Sequence, residues 1–83
     1  MNASRLQQES VTVLKQIREK LDLTQFELAS AIGCSLSVVS KAEAGMHEPR
    51  FTIEQWVKFQ EMLDKANINP KKLPSKLSDK VAI

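Results

Sequence analysis

Cysteine is nearly missing from this 83-residue chain: one is present, so no internal disulfide can form. A single histidine beside that lone cysteine offers no zinc framework either. A solitary thiol fits a reducing compartment better than a secreted one. No apolar run approaches the roughly 18 residues that a membrane span needs, and residues 1–10 are too polar for a signal peptide. These absences lead us to expect a cytoplasmic chain that does not contact the membrane. Glycine is scarce, with two in all, and no glycine-rich phosphate cradle exists. The carboxylates are scattered along helical surfaces, where solvated charge is the default. No catalytic constellation, metal set or cofactor motif emerges, so we expect neither an enzyme nor a bound cofactor.

A strong excess of one charge is also lacking, because 12 Lys and Arg face 10 Asp and Glu for a net charge of +2. The distribution is more telling. Residues 1–64 hold 7 basic against 9 acidic groups, net −2, and residues 65–83 hold 5 against 1, net +4. Nucleic-acid binders usually present a basic face. The body of this chain meets that requirement only if its few cations gather on one side.

What is present is helical periodicity, with no strand alternation, repeat or low-complexity block. The length suits one domain whose core depends on close packing. We therefore expect a compact all-α fold of four to five helices in three parts. Residues 1–9 form a polar segment or an early start of helix 1, 10–73 the folded domain, and 74–83 a basic, frayed and solvated tail.

Leu6, Ser10, Val13, Leu14, Ile17 and Leu21 fall at helical spacing, so helix 1 is predicted to begin between Ser4 and Ser10 and to end near Leu21. Ser4 with Gln7 supplies a capping signal at the early end. Thr24 with Glu27 forms a capping box for helix 2, which should bury Leu28, Ala29 and Ile32 before stopping at Gly33. Ser35 caps helix 3, from Leu36 to about Ala44, and Gly45 closes it. Two helices so close in sequence must cross steeply, and the small Ala29 lets them approach. This is helix-turn-helix geometry. Thr52 and Gln55 open helix 4, where Ile53, Trp56, Val57 and Leu63 share a stripe with Phe59 and Met62 to one side. Asn69-Pro70 signals a short fifth helix through Leu73.

Thr24-Gln25, Leu28-Ala29, Gly33, Ser35, Val39-Ser40, Glu43, Gly45 and Pro49 stand at the spacings of the Cro/C1 (XRE-type) helix-turn-helix regulators. The chain resembles that family from about Val13 to Leu63, which implies a lambda-repressor-like domain that binds double-stranded DNA. The resemblance places Leu36, Ser37, Ser40 and Lys41 at the base-facing positions of helix 3. Lys41 can donate to guanine, Ser37 can pair with several bases, and Leu36 can meet a thymine methyl. The bland alternative is the solvated side of a surface helix, where an exposed lysine is ordinary. Gln25, Ser35, Arg50, Phe51 and Thr52 match positions that grip the DNA backbone. Arg18 and Glu43 match a structural ion pair that sets the angle of helix 3.

Four residues depart from the family pattern. Phe26 stands where a polar residue is usual, and either packs under the N-terminal segment or belongs to a contact surface. Ala42 is small where a large apolar residue is frequent, with Trp56 a candidate to fill the space. Cys34 reads as a small buried apolar residue, with redox sensing a lesser hypothesis. His47 reads as a phosphate contact or as functionally silent.

The leading expectation is a sequence-specific transcriptional regulator, a repressor binding an inverted repeat as a homodimer. Phe59, Met62, Leu73 and Leu77 are the candidate dimer surface. The rival is an antitoxin or adaptor whose main partner is a protein, such as a toxin or another regulator.

Overall fold

The computed structural model describes residues 11–83. Its helices are α1 (Val13–Lys20), α2 (Gln25–Ile32), α3 (Leu36–Glu43) and α4 (Ile53–Lys65), followed by one 3-10 turn, Pro70–Lys72. No strand occurs among the described residues, so the all-α expectation holds. The Ser4 cap and the polar segment 1–9 lie outside them.

Helix α1 starts later than its periodicity suggested. Thr12 is the N-cap, extended at φ −66° and ψ 154°, and its hydroxyl accepts from Lys15 N. The same hydroxyl donates to the Glu43 carbonyl at 3.0 Å. Ser10 and Leu21 continue the apolar spacing beyond both ends, but capping geometry, not periodicity, fixes where a helix begins.

Caps predicted at the other helices are present. Thr24 and Glu27 exchange bonds of 3.1 and 2.8 Å at the start of α2. Gly33 ends that helix at φ 89°, a left-handed conformation that favours glycine, and its N–H returns to the Ala29 carbonyl. Ser35 caps α3 through Val38 N, and Thr52 with Gln55 forms a second capping box at α4. Ala29 is buried and small, which permits the close α2–α3 approach.

The core gathers Val13, Leu14 and Ile17 from α1, Leu28, Ala29 and Ile32 from α2, and Val39 and Ala42 from α3. Phe59 and Leu63 close it from α4, and Leu77 enters from the C-terminal segment. Fully burying an aliphatic or aromatic side chain stabilises by about 1.5–3 kcal/mol, so these residues hold α3 in place.

Three expectations for this half of the chain meet the core and its surroundings. Phe59 is 0% exposed and Leu77 is buried, so neither is open to a partner, whereas Met62 and Leu73 are partly buried against the core. The outward stripe of α4 is instead Ile53, Trp56 and Val57, with Ile53 84% exposed. Trp56, the candidate to fill space beside Ala42, is 42% exposed; its ring stands edge-on to Phe51 at 5.4 Å and against Phe59 at 5.7 Å. The predicted fifth helix is only the 3-10 turn, with Leu73 as its C-cap.

The tail departs from expectation as well, for it is an ordered strap. Val13 N donates to the Asp79 carbonyl at 2.8 Å and Leu14 N to the Leu77 carbonyl at 2.9 Å. Those two amides are among the four at a helix start that have no partner within the helix. Gln16 extends the clamp, donating to the Val81 carbonyl at 2.7 Å and accepting from Ile83 N at 3.0 Å. Leu77 in the core and these bonds overcome the fraying tendency of a polar, lysine-rich segment.

Candidate nucleic-acid interface

Helix α3 divides cleanly into two faces. Val39, Ala42 and Glu43 are buried, whereas Leu36, Ser37 and Lys41 are exposed and Ser40 is half-buried. The four expected base-reading residues therefore share the outward side, over the first turn and a half. Ser40 Oγ donates to the Ser37 carbonyl at 3.3 Å, which leaves its oxygen free to accept from a ligand. Leu36 is 46% exposed, a large apolar side chain at a helix start.

Glu43 anchors the inner face. Its carboxylate accepts from Arg18 Nε at 2.6 Å and Arg18 Nη2 at 3.0 Å, and Arg18 Nη1 continues to the Leu23 carbonyl at 2.9 Å. The hydrogen bond to Glu43 pushes the guanidinium pKa up, against a smaller opposing effect of burial. Helix α3 is thus tied to α1 at its last residue, through both side chain and backbone.

Gln25 is half-buried, and its Nε2 donates to Glu43 Oε1 at 3.0 Å. One of its two amide hydrogens is committed there, which fixes the side chain and leaves the other for a phosphate oxygen. The backbone N–H groups of Gln25 and Phe26 have no acceptor among the described residues. Phosphate oxygens are suited to such first-turn amides. Ser35 stays exposed while its hydroxyl oxygen accepts from Val38 N at 3.3 Å.

On the other side of α3, Lys41, His47 and Arg50 line a shallow cleft with Ser37, Val38, Glu48 and Pro49. None of the three basic side chains pairs with an acidic group of another described residue. Arg50 is exposed, as a backbone contact requires. Phe51 is half-buried within the aromatic group of Trp56 and Phe59. Thr52 offers less than expected, because its N–H donates to Gln55 Oε1 at 2.9 Å. The open amides at that helix start belong to Ile53 and Glu54.

Lys41, His47 and Arg50 come together from two elements, with Glu48 in the same lining. A helix-turn-helix family model matches residues 14–66, more than half of the chain. The chain belongs to the Cro/C1 (XRE) type of that family. Its structure is the corresponding lambda-repressor-like domain, and the family makes it a DNA-binding transcription regulator. No curated protein and no solved structure matches the chain significantly.

The remaining singled-out residues sort as follows. Phe26 is 66% exposed, so of its two expected places it takes the surface. Cys34 is half-buried against the core, and loss of hydration pushes its thiol pKa up. No group of three or more His, Cys, Asp or Glu able to hold a metal occurs among the described residues. None of the described helices is long and apolar enough to cross a membrane.

Sequence reasoning missed Thr12, Gln16, Glu48 and the second role of Gln55. Besides capping α4, Gln55 donates from Nε2 to the Gly33 carbonyl at 2.8 Å, tying the start of α4 to the helix-turn-helix turn. The cap at Thr12 had a local signal, a threonine before Val-Leu, masked by the better capping pair upstream. The other three act across 22 to 67 residues and carry no local signature.

Proposed function

We propose that this regulator reads a specific operator with Leu36, Ser37, Ser40 and Lys41 in the major groove, and that it acts as a repressor on an inverted repeat. The observation that carries this reading is the two-faced α3, whose outward residues are mostly small, polar or basic while its inner face is locked by Glu43. Gln25, Ser35, Arg50 and the amides opening α2 and α4 grip phosphate on either side, with Phe51 and Thr52 shaping the second grip. Phosphate contacts set register, and the α3 side chains distinguish bases.

A single small module buries little DNA, which supports a homodimer with half-sites about 34–36 Å apart. The exposed apolar side chains of α4, Ile53, Trp56 and Val57, are available for a two-fold contact. Selection of binding sites from random duplexes at a fixed salt concentration tests the whole reading. We expect a recovered inverted repeat; recovery of no sequence preference would overturn the operator assignment.

A second reading has one observation in its favour. The 66% exposed Phe26 opens α2 beside Gln25, an apolar side chain where a polar one is usual. Such a residue suits a protein partner, as in an antitoxin or adaptor. Co-purification of one stoichiometric protein, lost in Phe26→Ser, would favour this role.

A further inference from the structure

Glu48 occupies an unusual place. Its carboxylate lies in the loop that supplies His47 and Arg50, and it lines the same cleft as those residues and Lys41. A free carboxylate there would either repel a phosphate or neutralise the cations meant to hold it. The Glu48 carboxylate pairs with none of the three basic side chains and is instead bonded to the strap. Leu77 N donates to Glu48 Oε2 at 2.9 Å, Ser78 N to Oε1 at 3.0 Å, and Ser78 Oγ to Oε1 at 2.8 Å.

We propose that Glu48 is a positioning residue with two alternative sets of partners, the strap and the basic cleft, and that docking of the strap keeps the cleft open to DNA phosphate. The proposal rests on the DNA reading above. Three donors on one carboxylate make a strong anchor, since hydrogen bonds to charged groups are worth more than neutral ones. The strap is fixed independently by Leu77 in the core and by the first-turn amides of α1. It therefore holds the loop from a rigid base. Once undocked, the carboxylate has the basic side chains of Lys41, His47 and Arg50 along the same cleft to turn to.

The test is a double-mutant cycle on the full chain. Ser78→Asp sets a second carboxylate against Glu48 and drives the latch open. Binding to a random-sequence duplex should then weaken roughly fivefold, the Coulomb value for one unit charge about 4 Å away in water. Glu48→Gln should restore that loss in the Ser78→Asp background and raise affinity distinctly less with the native strap, where the carboxylate is held by its three donors. Thermal melting of each variant separates these effects from unfolding. Equal effects of Glu48→Gln in both backgrounds would overturn the proposal, since the introduced carboxylate would then be acting on DNA directly or through folding alone.

A second measurement is independent of DNA. Amide exchange at Leu77 and Ser78 should be roughly tenfold or more faster in Glu48→Ala, reflecting loss of charge-assisted bonds. Unchanged exchange would remove the latch. Failure of the native chain to bind any duplex would instead remove the DNA reading, with the exchange result still deciding whether Glu48 holds the strap.

Discussion

Arg18 and Glu43 meet in a two-pronged contact across 25 residues, Nε to Oε2 at 2.6 Å and Nη2 to Oε1 at 3.0 Å. Their side chains are 15% and 3% exposed, so the pair is largely shielded from water. Glu43 also receives Gln25 Nε2, and its carbonyl receives Thr12 Oγ1. One residue at the end of α3 therefore holds three other parts of the chain.

Removing one partner leaves the other charge buried alone. Arg18→Ala should destabilise the fold by about 3–5 kcal/mol, read as a lower urea midpoint at unchanged slope. Replacing both partners with methionine should recover much of that loss. A double variant as weak as the single one would show that the contact orients without a desolvation cost.

For the reading helix, Lys41→Ala should cost roughly 1–3 kcal/mol on the selected site and relax preference at one base pair. Arg50→Ala should weaken binding to all duplexes alike and lower the magnitude of the salt slope by about one. Titrations of specific and random duplexes at several salt concentrations separate the two. Identical behaviour of both variants would erase the division between reader and grip.

Phe59→Ala should cost about 3–5 kcal/mol through the cavity it leaves beneath the aromatic group. The loss should be independent of protein concentration, because Phe59 is a core residue of one chain. A concentration-dependent loss would instead return Phe59 to an interface.

Glu27 supplies a pH dependence. The Thr24 N–H and hydroxyl hold its carboxyl below the ordinary value of 4.5. A folded pKa below the unfolded one means that the contribution is fully present above the unfolded value and is lost as pH falls through the folded one. Glu27→Gln retains an acceptor for Thr24 N but has no charge to titrate. Stability of the native chain relative to Glu27→Gln should therefore fall on acidification below about pH 4.5, as measured by urea unfolding across that range. A constant difference would show that the charge contributes nothing.

Burial raises the Cys34 thiol pKa, so little thiolate exists near neutrality. Cys34 should react with iodoacetamide more slowly in the folded chain than in urea at the same pH. Duplex affinity should be unaffected by reversible thiol oxidants. Rapid native-state labelling would revive redox sensing.

The local parts of this fold were legible in the sequence. Thr24 with Glu27, Thr52 with Gln55, and Gly33 and Gly45 after their helices are short-range signals, and each produced the predicted boundary. The outward set on α3 followed from the family frame. Illegible were the features made by distant segments. Ile53, Trp56 and Val57 fit an apolar stripe by spacing, yet Phe59 and Leu63 are the α4 residues buried in the core. The strap has weak periodicity because backbone carbonyls and amides make most of its hydrogen bonds, and those groups are the same in every sequence.

The strap also bears on the order in which the domain can be completed. Its Val81 and Ile83 bonds reach Gln16 across 65 and 67 residues, whereas the capping boxes close over three. During synthesis at about 5–20 residues per second, the opening turn of α1 is exposed for several seconds before its acceptors exist. The reading helices can assemble in that interval, but α1 stays hydrated at its first turn until the strap arrives. We expect nascent chains halted before residue 77 to show a protected α2–α3 pair beside a rapidly exchanging α1 start. Equal protection in halted and full-length chains would disprove this sequence of events.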